Sequence, residues 1–247
     1  MRTNKIKDNY EKFTGNLECA IESLKQGNFV LIHDSSGREN ETDFVIAAQF
    51  VKPRHIAAMR EDGGGLICVA VDKKIAEKIG LPFECDIQKE ACSKFPLLGQ
   101  VLANDIPYDE HSAFSITINH RKTFTGITDN DRALTISEFA ELAGSVSKED
   151  YKGDVYADFG KNFRSPGHVH LLISSGLQNR EGHTELSTAL LKMADLVPCA
   201  VLCEMMDSKT HNSLKSGDAK KYAVEQGIIF LESGEVREAF ENLQGNF

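Results

Sequence analysis

The sequence predicts one α+β domain in which a mixed central β-sheet is covered by helices in a three-layer α/β/α arrangement. Short apolar runs typical of buried strands alternate along the chain with segments whose apolar residues recur at helical spacing. No linker rich in proline, glycine or serine divides the 247 residues into halves. We therefore expect a single domain over residues 16–247, preceded by a loose polar leader over residues 1–15.

The composition limits the classes of partner. The chain has 37 acidic and 28 basic side chains, and this excess of acid argues against a nucleic-acid or anionic-membrane partner. No apolar run is long enough to span a membrane, and the N-terminus has no apolar signal region. None of the six cysteines has the spacing of zinc ligands, so we expect reduced thiols and a cytoplasmic protein.

In the first half of the chain, apolar runs and their terminal residues predict the elements in order. Leu17, Ile21 and Leu24 lie on one face of a helix that Gly27 ends. Pro53 suits the first turn of a second helix. The predicted elements are a helix over residues 17–24, strands over 29–33, 44–50 and 66–71, a helix over 53–60 and a short helix between 72 and 80.

The second half is predicted by the same patterns. Residues 82–111 have no clear periodicity and are expected to be irregular, whereas Thr135 and Glu138 have the spacing of a capping box before a helix. Residues 145–158 are polar and suggest a surface loop. The predicted elements are strands over residues 113–119, 169–173, 199–203 and 228–231, helices over 136–143, 185–194 and 235–243, and a polar linker up to 217 before a helix that ends at 226.

The stretch over residues 36–43 is the first candidate for chemistry. If it is extended, Glu39, Glu41 and Asp43 point the same way, because side chains alternate along a strand. Three carboxylates on one face repel each other unless water, a cation or a polar ligand faces them. Arg38 can offer a fork of donors to a phosphate or carboxylate. A solvated acidic hairpin remains the alternative.

A second candidate lies at residues 179–185, where a loop enters an amphipathic helix. Thr184 can cap this helix, and its free amides together with Arg180 and Gly182 would form a phosphate site. His183 would lie beside the phosphate and could bind a metal through a neutral ring nitrogen. An ordinary capped helix with a surface histidine is the alternative.

Two strand ends are further candidates. His168 follows a turn and is expected at the beginning of a strand, where catalytic groups are common, although a solvent-facing edge fits equally well. Glu204 directly follows an apolar strand, and partial burial there would raise its pKa and suit a general acid or base. A glutamate in water is the alternative. The loop over residues 125–132 could add hydroxyl contacts to a phosphate, and Cys68 is expected to pack in the core.

Taken together, these stretches resemble the 3,4-dihydroxy-2-butanone 4-phosphate synthase family of riboflavin biosynthesis, and they look most like its archaeal monofunctional members. The segments that carry the resemblance appear in the family's order. They are residues 38–43, 65–68, 125–128, 131–133, 166–169, 180–185 and 203–204.

The resemblance implies a lyase that converts D-ribulose 5-phosphate to L-3,4-dihydroxy-2-butanone 4-phosphate and formate with Mg²⁺ (or Mn²⁺). It also implies a homodimer with sites at the subunit interface, so that His168 could serve the neighbouring chain's site. The implied roles are metal binding for Glu39 and His183, an essential acid/base pair of His168 and Glu204, and substrate binding for Arg38, Glu39, Asp43, Arg180, Glu181, Gly182, His183, Thr184 and Glu204.

The sequence also departs from the family's pattern. Many members carry a more acidic run before the arginine, and here only Asp34 remains of it. We expect no C-terminal GTP cyclohydrolase II domain, because little chain follows and no cysteines have zinc spacing. Two other functions use the same residue types: a different metal-dependent sugar-phosphate isomerase or aldolase, and a non-catalytic phosphosugar-binding module.

Overall fold

The computed structural model describes residues 15–109 and 111–244, so most of the expected leader lies outside the described residues. The helices are α1 (Gly15–Lys25), α2 (Pro53–Ala58), α3 (Lys73–Ile79), α4 (Glu84–Ala91), α5 (Pro96–Gln100), α6 (Asp129–Ser147), α7 (Val155–Asn162), α8 (His183–Met193), α9 (Ser216–Gln226) and α10 (Ser233–Gln244). The strands are β1 (Val30–His33), β2 (Thr42–Ala47), β3 (Cys68–Val71), β4 (Phe114–His120), β5 (Phe163–Ile173), β6 (Cys199–Glu204), β7 (Met206–Asp207), β8 (Asn212–Ser213) and β9 (Ile229–Glu232).

Seven of these strands form a mixed sheet in the order β4-β5-β3-β6-β2-β1-β9. The pairs β3–β5 and β1–β9 are parallel, and the other four neighbouring pairs are antiparallel. Alternating side chains of β2 show why helices cover both faces. Phe44 belongs to a core with Ile136 and Phe139 of α6, whereas Val45 belongs to a second core with Leu17 of α1 and Leu190 of α8. The predicted α+β class with a central mixed sheet is confirmed.

The second half of the chain corrects several predicted boundaries. Residues 82–111 are not wholly irregular, because they contain α4 and α5. The predicted loop over residues 145–158 is also wrong, since α6 continues to Ser147 and α7 begins at Val155. Asp154 caps α7 by accepting hydrogen bonds from two backbone amides, and this local signal was hidden in a run of polar residues.

The predicted capping box of the central helix is a further error. Helix α6 begins at Asp129, and Thr128 is its N-cap, because the side chain of Thr128 accepts the amide of Asp131 at 3.1 Å. Thr135 lies buried in the middle of the helix and accepts the backbone N–H of His120 at 2.9 Å. The first turn of α6 is polar, and the apolar pattern therefore placed the start of the helix two turns too late.

Other boundaries also differ from the predictions. Strand β2 ends at Ala47, and a 3₁₀ turn over Ala48–Phe50 follows it. The polar linker after β6 contains the small hairpin β7–β8. Strand β5 begins at Phe163, so His168 lies inside a strand of 11 residues and not at its beginning. Among the described helices, none combines the length and the apolar character that crossing a membrane requires.

Candidate active site

The loop between β1 and β2 is a compact turn, so the condition under which Glu39, Glu41 and Asp43 would align, an extended segment, is not met before β2 begins at Thr42. The buried carboxylate of Asp34 accepts the backbone N–H groups of Glu39 and Glu41, at 3.1 and 2.9 Å. Asn40 takes a left-handed conformation with φ of 57°. The turn separates the carboxylates, since Glu41 accepts a hydrogen bond from Ser213 of β8 while Glu39 turns towards His183.

His183 lies buried at the start of α8 with carboxylates on two sides. Its Nδ1 is 3.4 Å from Glu39, and its Nε2 is 3.2 Å from the carbonyl oxygen of Ile32 and 3.7 Å from Asp43. A carbonyl oxygen only accepts, so Nε2 carries a proton and Nδ1 is the nitrogen that can hold a metal. Burial alone would lower the pKa of His183, but the carboxylates of Asp43 and Glu39 raise it to about 9.

The pKa values of the carboxylates around His183 are also shifted, in opposite directions. Burial raises the pKa of Asp43 to about 8, and its buried Oδ1 has no hydrogen-bond partner among the described residues. Burial also opposes the charge of Glu39, yet His183 and Arg38 lower the pKa of Glu39 to about 2. A cation would relieve the repulsion within this group and would leave the imidazole neutral.

The donor set fits a divalent cation. Ligand atoms of Asp34, Glu39 and His183 all lie within 4.8 Å of one another. Two carboxylates and one imidazole suit Mg²⁺ or a similar ion whose remaining positions are filled by substrate oxygens and water. Glu39 and His183 were expected ligands. Asp34 was noted only as a remnant of an acidic run, and its contacts depend on the tertiary structure.

A cavity of about 130 Å³ opens beside this group and brings together most of the predicted site residues. The lining includes Glu39, Asp43, Arg180, His183, Thr184 and Glu204, together with Cys68, Tyr108, Asp109 and Ser112. Cys68 therefore faces the cavity as well as the core, although burial raises the pKa of its thiol and disfavours the thiolate.

Glu204 is held at the end of β6 by the glycine segment that precedes β3. Its Oε2 accepts the backbone N–H of Leu66 at 2.7 Å, and its carbonyl oxygen accepts the N–H of Gly65 at 3.1 Å. A Cβ at Gly65 would lie 2.7 Å from the backbone carbonyl oxygen of Glu204, so only glycine fits here. Burial raises the pKa of Glu204, which matches the predicted character of an acid or base.

Two arginines converge beside the cavity on a residue that the sequence analysis missed. Arg180 donates to Asp109 through Nε at 2.9 Å and Nη2 at 2.7 Å, and Arg38 binds the same carboxylate oxygen. The buried Glu185 holds Arg180 from the other side at 2.6 Å. Asp109 lies within residues 82–111, which show no periodicity. The one local signal for Asp109 in the sequence is its position next to the aromatic Tyr108.

The start of α8 differs in detail from its prediction. The N-cap is Gly182, whereas Thr184 lies buried in the first turn and does not cap the helix. A Cβ at Gly182 would be 2.4 Å from Arg180 Nη1 and 2.7 Å from Arg38 Nη2, so glycine makes room for both guanidinium groups. Glu181 pairs with Arg237 at 3.0 Å and lines an adjacent groove of about 800 Å³.

His168 is not among the residues that line the cavity. Cys68 lies opposite His170 of β5 on one side and opposite Leu202 of β6 on the other. His168 lies two residues before His170 in β5, where the pairing of β5 with β4 is irregular between Arg164 and Val169. The structure therefore brings together most of the residues predicted to bind a metal and a phosphate but leaves His168 outside that cavity.

A family model and several known proteins with similar sequences carry the same description. The family model for 3,4-dihydroxy-2-butanone 4-phosphate synthase matches residues 18–239. The 3,4-dihydroxy-2-butanone 4-phosphate synthase of Methanothermobacter thermautotrophicus is 51% identical over 226 residues, which cover 91% of this chain and 95% of that protein. The synthase of the same name from Archaeoglobus fulgidus is 44% identical over 230 residues, which cover 92% of this chain and 94% of that protein.

Solved structures give the same match. A crystal structure of 3,4-dihydroxy-2-butanone 4-phosphate synthase in complex with two magnesium ions superposes on the chain with a TM-score of 0.73. The two sequences are 25% identical, and the match covers 94% of this chain and 99% of the other. The synthase of Candida albicans superposes with a TM-score of 0.66 at 27% identity, and the match covers 92% of this chain and 97% of that protein.

Proposed function

The chain belongs to the 3,4-dihydroxy-2-butanone 4-phosphate synthase family of riboflavin biosynthesis, and from this premise we propose that it converts D-ribulose 5-phosphate to L-3,4-dihydroxy-2-butanone 4-phosphate and formate with Mg²⁺. It is an enzyme of the lyase class. The observation that carries the proposal is the convergence of Asp34, Glu39 and His183 within 4.8 Å, beside a cavity that Glu204 also lines.

The phosphate of the substrate would bind at the start of α8. The amide of Glu185 already donates to the carbonyl oxygen of Gly182, so the amides of His183 and Thr184 are the ones that would donate to a phosphate. Arg180 and Arg38 lie next to Gly182. Thr184, which lines the cavity, can add a hydroxyl donor, and Glu181 contributes backbone to the same turn. Fixing the phosphate also fixes the reacting carbons relative to Glu39 and Asp43.

Glu39 and His183, with Asp34 beside them, would hold Mg²⁺, and Mn²⁺ would satisfy the same donors. When bound, the ion stabilises negative charge that develops on the carbonyl and hydroxyl oxygens of the sugar. Asp43 and Glu39 face those hydroxyls and can orient them. The structure of a relative with two magnesium ions supports this choice of metal.

Proton transfer falls to Glu204 and His168. The reaction begins with loss of a proton from a carbon next to the ketone, and later steps move protons among the sugar oxygens as water leaves, carbon migrates and formate departs. Glu204 lines the cavity and has a raised pKa, so it can accept the first proton and return one later. His168 would complete the acid/base pair.

We further propose a cytoplasmic homodimer whose sites lie at the subunit interface. His168 lies outside the cavity of its own chain, so a second chain could supply that residue. Apolar side chains are exposed at the same edge of the sheet, including Phe124 at 95% and Ile127 at 49%. A second copy would cover them. All six cysteines are free, in keeping with a reducing compartment.

The experiment that tests the proposed reaction is formate release from ribulose 5-phosphate, measured with Mg²⁺ and again with excess EDTA. We expect formate only with the metal, and no formate from Glu204→Gln, whose circular dichroism spectrum should match the wild type. Substrate consumption without formate would replace the proposal with an isomerase or aldolase. Substrate binding without consumption would identify a phosphosugar-binding module.

A further inference from the structure

Asn119 of β4 lies where the loop over residues 125–128 approaches the segment of β5 that contains His168. Asn119 is 4% exposed and lies near the end of β4 beside His168 of β5. Its Oδ1 accepts the backbone N–H of His168 at 2.9 Å, and its Nδ2 lies 3.1 Å from Nδ1 of the same histidine. One amide therefore contacts both the backbone and the ring of His168.

This double contact determines where the ring proton lies. A backbone N–H only donates, so the amide atom facing it must be the oxygen. The atom facing the ring is then the amide nitrogen, which also only donates. Nδ1 of His168 must offer its lone pair in return, and the neutral ring therefore carries its proton on Nε2.

Two glycines make the contact possible. Gly126 has φ of +87°, and a Cβ there would lie 2.1 Å from Asn119 Nδ2. A Cβ at Gly167 would lie 1.9 Å from the carbonyl carbon of Ile118. The loop at Gly126 and the segment of β5 at Gly167 both approach β4 more closely than a side chain would allow, and the Gly167 N–H donates to Thr117 at 3.0 Å.

The loop around Gly126 is itself fixed by Asp131. That carboxylate accepts the amide of Gly126 at 2.9 Å and the hydroxyl of Thr125 at 3.3 Å, and Thr128 caps α6. The hydroxyls expected to contact a phosphate are thus engaged within the loop of their own chain. The arrangement closes the loop over Asn119.

We propose that Asn119 is a positioning residue that holds His168 in the Nε2–H tautomer. His168 then offers a substrate oxygen a hydrogen-bond donor at Nε2, which stabilises the negative charge that develops on that oxygen. Glu204 is left as the group that accepts the proton from carbon. This division of roles rests on the proposed function, whereas the tautomer itself does not.

The test is the tautomer of His168 in the full-length protein, measured by long-range ¹H–¹⁵N correlation on ¹⁵N-histidine-labelled samples at alkaline pH. The His168 signals are assigned by their loss in His168→Gln. We expect an unprotonated Nδ1 and a protonated Nε2 in the wild type. A proton on Nδ1 would overturn the proposal, whether or not the protein releases formate.

Asn119→Asp is the matched variant, because it keeps the shape of the side chain. One carboxylate oxygen still accepts the backbone N–H of His168, and the other now accepts a proton from Nδ1. The neutral tautomer should reverse, and kcat should fall by about 10²-fold because one aimed donor is lost, with KM for ribulose 5-phosphate little changed. An unreversed tautomer would refute the control by Asn119, and a reversed tautomer with wild-type kcat would refute the role of Nε2.

Discussion

His183 lies buried beside the carboxylates of Glu39 and Asp43, whereas His168 is exposed on β5 and contacts the neutral amide of Asn119. The first environment favours positive charge, either on the imidazole or on a metal ion in its place. The second selects a tautomer by hydrogen bonding alone. The same residue type therefore serves two different tasks because its partners differ.

The largest expected effect is on turnover when either member of the acid/base pair is removed. Glu204→Gln and His168→Ser should each lower kcat by about 10²- to 10⁴-fold, because proton transfer or charge stabilisation in the transition state is lost. Formate release under saturating Mg²⁺ measures this effect. Wild-type turnover in a folded variant would remove that residue from the mechanism.

Mixing the same two variants shows whether His168 and Glu204 act together from one chain or from two chains. If His168 serves the neighbouring chain, a mixed dimer of His168→Ser and Glu204→Gln contains one intact site. Random exchange of subunits should then restore about a quarter of the wild-type activity, by the symmetry of a two-site dimer. The check is formate release after the variants are unfolded and refolded together. No recovery, with mixed dimers present by native mass spectrometry, would place both residues in one chain's site.

A smaller effect is expected on the metal dependence. His183→Ala removes one of three converging donors, so the Mg²⁺ concentration for half-maximal activity should rise by about tenfold or more. A Mg²⁺ titration at fixed ribulose 5-phosphate measures it. His211→Ala is the matched control, since His211 lies exposed near the β7–β8 hairpin and should leave the titration unchanged. An equal shift in both variants would contradict the assignment of His183 as a ligand.

The smallest effect is on stability. Burial raises the pKa of Glu204 in the fold, so the folded state binds this proton more tightly than the unfolded chain does. At neutral pH and above, ionised Glu204 costs stability, and below the ordinary pKa of glutamate that cost disappears. Glu204→Gln should therefore melt at a higher temperature than the wild type at pH 8, with a difference that shrinks on acidification. Melting curves across this range check the sign, and a constant difference would rule out ionisation as the cause.

The Glu204 and α8 regions show how far sequence reasoning reaches. Glu204 follows an apolar run, and Arg180 to His183 precede an amphipathic helix, so the character of both sites was readable from a few neighbouring residues. Periodicity and helix-end signals involve residues that are only a few positions apart, so both can be recognised from the sequence. The mixed sheet, its flanking helices and six of the fifteen residues that line the cavity were accordingly predicted.

Contacts between distant segments were decided only by the tertiary structure. Asp109 forms ion pairs with Arg38 and Arg180, each of which is 71 positions away in the sequence. Asn119 contacts His168, which is 49 positions away. Asp34 likewise accepts two backbone amides and folds residues 34–41 into a turn, which the alternation of side chains could not indicate. The sequence determined which side chains carry charge and which strands and helices present them. Packing of the sheet decided which of them touch, because a hydrogen bond needs atoms within about 3 Å and no local pattern encodes the partner's position.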